Sequence, residues 1–211
     1  MSTVAEAVSH SRSATQIWQE LDFSGRKKVL KAWAKTLNSN IDSVAKLISE
    51  ETGKPFSDAS LEATVAINHL LWVAKNAEKI LKTQTRPSGL LFLNIKSRVA
   101  KIPYGVVGVI GPWNYPMHTP MGSISYALAA GNTVVFKPSE YTPKIGAYLA
   151  ELFAKVAPSP FIFQSLPGDP QNGIELTNSK VDKIAFTGST RTAKKVAAAC
   201  AKNLIPGVYE C

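Results

Sequence analysis

The chain has 211 residues, with 24 lysines and arginines against 15 aspartates and glutamates, a net charge of +9 and 45% hydrophobic residues. That is a globular composition, long enough to bury a core without disulfides or a structural metal. Two cysteines, Cys200 and Cys211, exclude a disulfide framework and fit a reducing, cytoplasmic setting. The first twenty residues lack the unbroken apolar core of a signal peptide, and the apolar run at 104–113 is short and broken by glycine and proline, so neither secretion nor a membrane span is expected.

The positive charge raises the question of nucleic acid, but it is scattered along the chain. Lys27, Lys31 and Lys35 share one helical face, with Val29, Leu30, Trp33 and Leu37 as the complementary apolar stripe, which is the pattern of a solvated face. No nucleic-acid partner is expected. His10, His69 and His118 show no metal-ligand spacing, so no metal site is expected either.

In chain order, residues 1–83 read as consecutive helices. Ser24 is placed to cap a helix running to about Leu37; a second, over 42–51, is stopped by Thr52, Gly53, Lys54 and Pro55. A long third helix starts at Ser57, with Ala63, Ala66, Ile67, Leu70, Ala74, Ala77 and Leu81 recurring at threes and fours. Residues 84–89 are turn-rich, and the apolar runs at 90–95 and 98–102 read as two short strands, giving a hairpin within 84–103.

From residue 104 onward strand-like and helix-like segments alternate: 106–110 then 120–130, 133–136 then 143–156, 161–166 then 173–177, and 183–186 then 190–203. Alternation of this kind predicts an α/β fold, a Rossmann-like open parallel sheet with helices on both faces. Pro120 and Pro143 follow Thr119 and Thr142 as first-turn prolines, and Gly131 sits just past a predicted helix end.

Three strand ends carry residues suited to chemistry. Phe186-Thr187-Gly188-Ser189-Thr190 closes a strand and opens a helix, either as an anion site or simply as a tight turn with Ser189 or Thr190 as N-cap. Lys137-Pro138-Ser139-Glu140 lies on the edge where open α/β sheets bind ligands, and a lysine with an acid there could grip sugar hydroxyls. Pro112-Trp113-Asn114-Tyr115-Pro116 is a stiff loop able to hold an amide donor for an oxyanion. The dinucleotide pattern G-x-G-x-x-G is absent, since Gly105, Gly108 and Gly111 run through a strand at spacings of three.

The segments Pro103-Tyr104-Gly105-Val106-Val107-Gly108-Val109-Ile110-Gly111-Pro112-Trp113-Asn114-Tyr115-Pro116, Ala129-Ala130-Gly131-Asn132-Thr133-Val134-Val135-Phe136-Lys137-Pro138-Ser139-Glu140 and Val181-Asp182-Lys183-Ile184-Ala185-Phe186-Thr187-Gly188-Ser189-Thr190 together resemble the aldehyde dehydrogenase superfamily. The resemblance covers the cofactor-binding part of a family member, less than half its usual length. It implies that Asn114 is the oxyanion-hole amide, that Trp113 and Ile110 line the nicotinamide side, and that Lys137 and Glu140 hold the adenosine ribose. Glu140 would repel a 2′-phosphate, which favours NAD over NADP.

Gly168 corresponds to a glycine near the adenine, and Gly188 and Ser189 to the pyrophosphate turn. That turn normally continues with an acid and a second glycine, where this chain has Arg191 and Ala193, so weakened cofactor binding is expected. Glu210 keeps the family's offset from Pro206 for the glutamate general base, while Gly207 and Tyr209 depart from its pattern. The hairpin resembles the family's oligomerisation element, with its sheet edge uncovered. The nucleophilic cysteine of the family lies beyond this point. Cys211 adjoins Glu210 on one predicted strand, where neighbours face opposite ways, and Cys200 sits among alanines on a helix.

The chain is therefore read as an incomplete NAD(P)-binding domain, 1–211, of an enzyme that oxidises an aldehyde to a carboxylic acid. It is expected to be truncated and inactive alone, with self-association or pairing with a full-length relative. The alternative reading is a non-catalytic dinucleotide-binding or interaction protein.

Overall fold

The first helices owe their limits to side chains that satisfy free backbone N–H groups. The computed structural model of the protein describes residues 3–211. Thr3 opens α1 (Val4–Glu20) with a reciprocal capping box: its hydroxyl accepts from Glu6 N–H while its own N–H donates to the Glu6 carboxylate at 2.7 Å. α2 (Phe23–Ser39) begins ahead of the expected Ser24, because the Asp22 carboxylate accepts from Gly25 N–H at 2.6 Å and takes the capping role. α3 (Ile41–Thr52) ends at Gly53 in the left-handed region, φ 75°. α4 (Phe56–Leu81) buries the expected face at Ala63, Ala66, Ile67, Leu70 and Ala74, extends it to Ala59, and leaves Ala77 and Leu81 half-buried.

The hairpin at 84–103 is present in a different register from the one expected. Its strands are β1 (Gln84–Arg86) and β2 (Ser97–Val99), paired antiparallel, and the apolar run after Gly89 forms a 3-10 turn at Leu90–Phe92. Ser88 decides this. Its hydroxyl donates to the Ile95 carbonyl at 2.6 Å and lies 2.8 Å from the Ser97 hydroxyl, which closes the loop inside the apolar segment. Leu90, Leu91 and Leu93 stay 81–90% exposed, with no core to draw them into a strand.

The remaining strands are β3 (Val106–Ile110), β4 (Thr133–Lys137), β5 (Phe163–Ser165), β6 (Lys183–Thr187) and β7 (Gly207–Glu210). They form one parallel sheet in the order β5-β4-β3-β6-β7. The crossovers are α5 (His118–Ala129), α6 (Pro143–Ala154), α7 (Pro170–Asn178) and α8 (Thr190–Lys202). Thr142 is the N-cap residue before Pro143, as expected, whereas α5 begins at His118 and draws its cap from α4 instead of Thr119. Gly131 follows α5 at φ 94°. β5 is shorter than the expected run, since residues 160–162 form a 3-10 turn.

Alternate side chains of each central strand enter two cores. Val107, Val109, Val134, Phe136 and Ala185 pack beneath α2 to α6, while Val106, Ile110, Val135, Ile184 and Phe186 pack beneath α7 and α8, with α1 feeding both. Trp33, fully buried, anchors the first core edge-on to Phe153 at 5.1 Å between ring centroids.

Candidate functional site

The chain starts the sheet at β3, winds outward to β4 and β5, then returns to the other side of β3 for β6 and β7. The carboxyl ends of β3 and β6 thus flank a topological switch point, where loops leave in opposite directions and open a crevice. A cavity of about 1200 Å³ lies there. It is lined by Ile110, Trp113 and Asn114 after β3, Lys137 and Glu140 after β4, Gly188 and Ser189 after β6, and Glu210 at the end of β7. Every residue singled out from the sequence reaches it except Gly168.

Lys137 is the most constrained polar group in the cavity. Its side chain is only 7% exposed, its ammonium lies 3.7 Å from the Glu140 carboxylate, and it makes no hydrogen bond among the described residues. Burial pushes its pKa below the ordinary value, against the smaller opposing pull of Glu140. A buried ammonium without a hydrogen-bonded acceptor fits a ligand that brings its own oxygens. Glu140, more exposed, accepts from the Ser139 hydroxyl at 3.2 Å.

Gly168 stands behind the cavity wall. A methyl group on it would fall 2.5 Å from the Ser139 carbonyl oxygen and 2.9 Å from the Glu140 Cα. The bare glycine lets the loop after β5 press against the backbone that carries Glu140, so its position bears on the cavity wall through packing.

Ser189 caps α8, its hydroxyl accepting from Thr192 N–H at 3.3 Å. The first turn of α8 borders the cavity through Ser189, Arg191 and Thr192. Arg191 and Lys195 line the same cavity and add positive charge beside this turn. Ala193, expected to intrude on close approach, is instead buried in the core beneath α8. It is absent from the cavity lining.

Asn114 lies between two hollows. Besides the large cavity it lines a groove of about 700 Å³ with Leu61, Val65, Tyr115 and His118. Its side-chain oxygen accepts from Tyr115 N–H at 3.1 Å, so its amide N–H groups are the part left to serve a ligand. Two residues not singled out as site candidates support this loop. Lys54, read only as part of a helix stop, donates to the Asn114 carbonyl at 2.8 Å and to Glu62 at 2.6 Å. Glu62, fully buried, accepts from Met117 and His118 N–H at 2.9 and 3.1 Å. A single acid amid the apolar face of α4, between Ala59, Ala63 and Ala66, was the available signal.

Glu210 accepts from the Thr187 hydroxyl at 3.0 Å, and its carbonyl accepts from Gly188 N–H at 3.1 Å, which ties it to the turn before α8. The departures at Gly207 and Tyr209 are coupled, because the Tyr209 ring occupies the space that a side chain at Gly207 would need. Cys211 also lines the cavity, contrary to the expectation that it faces away; it lies beyond the last paired residue of β7 and escapes strand alternation. Cys200 is buried in the second core, where desolvation pushes its thiol up against a smaller opposing influence of Tyr209, the reverse of an activated nucleophile. Among the described residues no cluster of His, Cys, Asp and Glu has metal-binding geometry.

Open parallel sheets take their ligands in a crevice at such a switch point. Residues 1–211 match the aldehyde dehydrogenase family. The chain is 35% identical over 209 residues to 4,4′-diapolycopene aldehyde oxidase of Methylomonas sp, covering 98% of this chain and 39% of that protein. It is 37% identical over 190 residues to N-succinylglutamate 5-semialdehyde dehydrogenase of Ectopseudomonas mendocina (strain ymp), covering 90% and 38%.

An NAD+ complex of aldehyde dehydrogenase from Bacillus cereus superposes with a TM-score of 0.92 at 29% identity, covering 98% of this chain and 42% of that one. An Escherichia coli NADP-dependent enzyme superposes with a TM-score of 0.91 at 28% identity, covering 98% and 43%. This chain belongs to the aldehyde dehydrogenase family. It spans about 40% of the length of the relatives it matches.

Proposed function

We propose that the chain binds NAD at the switch-point cavity and presents Asn114 as the oxyanion donor for oxidation of an aldehyde to a carboxylic acid. The observation that carries this reading is the place of Asn114 on the wall between a dinucleotide-sized cavity and a second groove. Lys137 and Glu140 would hold the ribose hydroxyls, with Gly168 fixing the Glu140 backbone. The α8 N-terminus at Gly188 and Ser189 would face the pyrophosphate, and Ile110 and Trp113 the nicotinamide. Glu140 beside the ribose favours NAD over NADP through repulsion of a 2′-phosphate. When bound, the cofactor supplies the hydride acceptor.

The carbonyl oxygen of the aldehyde would gain charge as a thiolate adds, and the Asn114 amide N–H would donate to it there. Glu210 would take a proton from the water that releases the acyl group. The thiolate is proposed to come from outside residues 1–211, since Cys200 is buried and Cys211, exposed on the large cavity, is absent from the second groove that Asn114 also lines. The test is calorimetric NAD+ titration together with an assay of NADH formation. Binding is expected, and no NADH above background with simple aldehydes from the 211-residue chain. Activity abolished by Cys211→Ser would move the nucleophile to Cys211, and absence of NAD+ binding would overturn the whole reading.

The buried Cys200 equally favours a second reading, a dinucleotide-binding or interaction protein without turnover, and the same titration with added full-length relative separates the two. Among the described residues no helix is long and apolar enough to cross a membrane, and a cytoplasmic location is proposed from cysteine usage. The two-stranded hairpin exposes Leu90, Leu91, Leu93 and Ile102 beside open strand edges. Self-association through this hairpin is expected. Light scattering at high concentration should show oligomers, and a monomer unchanged by replacing the three leucines with serine would refute it.

A further inference from the structure

We infer that Lys54 and Glu62 form a positioning pair for Asn114, an inference that rests on the reading of Asn114 as the oxyanion donor. The loop between β3 and α5 has no regular structure of its own, yet its polar backbone is held at both ends from α4 and the turn before it. The Lys54 ammonium donates to the Asn114 carbonyl at 2.8 Å and lies 4.3 Å from the centre of the Tyr115 ring. The same ammonium donates to Glu62 Oε2 at 2.6 Å, while Glu62 Oε1 accepts from Met117 and His118 N–H.

Glu62 is fully buried and Lys54 84% buried by side chain, so the pair acts where solvent screens little. One buried carboxylate therefore caps α5, and through Lys54 it fixes the peptide carrying Asn114. With that peptide fixed and the carboxamide oxygen held by Tyr115 N–H, the amide N–H groups have one direction left. Neither residue lines the large cavity, and both line the smaller groove beside Asn114, where their hydrogen bonds are spent on the loop backbone.

The experiment uses the full 211-residue chain with selectively 15N-labelled asparagine, the Asn114 side-chain pair being identified by its loss in Asn114→Asp. Lys54→Met should shift and broaden that pair and speed hydrogen exchange of the Tyr115, Met117 and His118 amides about tenfold, the equivalent of about 1.4 kcal/mol. Lys54→Arg should restore both readouts, since it keeps a cation able to bridge Glu62 and the Asn114 carbonyl.

Because Lys54→Met leaves a buried carboxylate without its cation, the neutral double variant Lys54→Met with Glu62→Gln serves as control. It should keep native-like thermal stability and still release Asn114. An unmoved Asn114 pair in both variants, or exchange rising equally across β3 to β6, would overturn the inference. Added NAD+ separates this from the functional reading: if NAD+ fails to bind while the Lys54 variants still move the Asn114 pair, the positioning role stands and the functional reading falls.

Discussion

Lys137→Met weakens NAD+ binding by about ten- to a hundredfold and leaves the fold intact. The substitution keeps the length and apolar stem of the side chain while deleting the one ammonium buried in the cavity wall. Hydrogen bonds from a charged group are worth about 1.5–3 kcal/mol, which converts to that range of affinity. Stability should not fall, because the desolvation of the Lys137 charge outweighs its 3.7 Å ion pair with Glu140 in the free protein.

The pH dependence has a definite sign. Folding lowers the Lys137 pKa below its ordinary 10.5, so between the lowered value and 10.5 the unfolded chain binds more protons. Stability contributed by this group therefore rises with pH across that window, and the cost of its burial is full below it. NAD+ affinity should fall in the same window as the ammonium is lost. Calorimetric titrations from neutral to alkaline pH check both; an affinity unchanged by the substitution would displace the ribose from Lys137.

Gly168→Ala is expected to abolish measurable NAD+ binding and to cost about 1–3 kcal/mol of stability, the range for forcing added volume into a packed site. The new methyl group would meet the Ser139 carbonyl and the Glu140 Cα, and backbone atoms cannot rotate aside as a side chain can. The loop after β5 would have to lift away, carrying with it Asp169, whose side chain accepts from Gln171 N–H and caps α7. Glu140 would be displaced and the adjacent cavity wall opened. Thermal melting and the same titration measure the two effects. A lowered melting temperature with native affinity would confine Gly168 to packing alone.

Periodic and terminal signals were legible in the sequence. β3, β4 and β6 are apolar on both faces and separated by helix-length segments, so the parallel sheet followed from composition and order alone. The candidate residues at the ends of β3, β4 and β6 could be found for the same reason, because ligand-facing residues in such sheets fall at strand ends. The hairpin was misplaced by the same logic: an apolar run at 90–95 reads as strand, yet it has no core to face, and Ser88 closes the loop within it.

Only the tertiary structure decided the rest. That Cys211 reaches the cavity depends on β7 ending one residue earlier, and that Ala193 turns its methyl group into the core depends on the rotation of α8 over the sheet. The support of Asn114 by Lys54 and Glu62 joins segments more than fifty residues apart, brought together only when α4 packs on α5. Local patterns are set by neighbours along the chain, where periodicity and capping act within a few residues. Contacts between distant segments depend on strand order and helix packing, which the chain settles by burying both sides of its sheet at once.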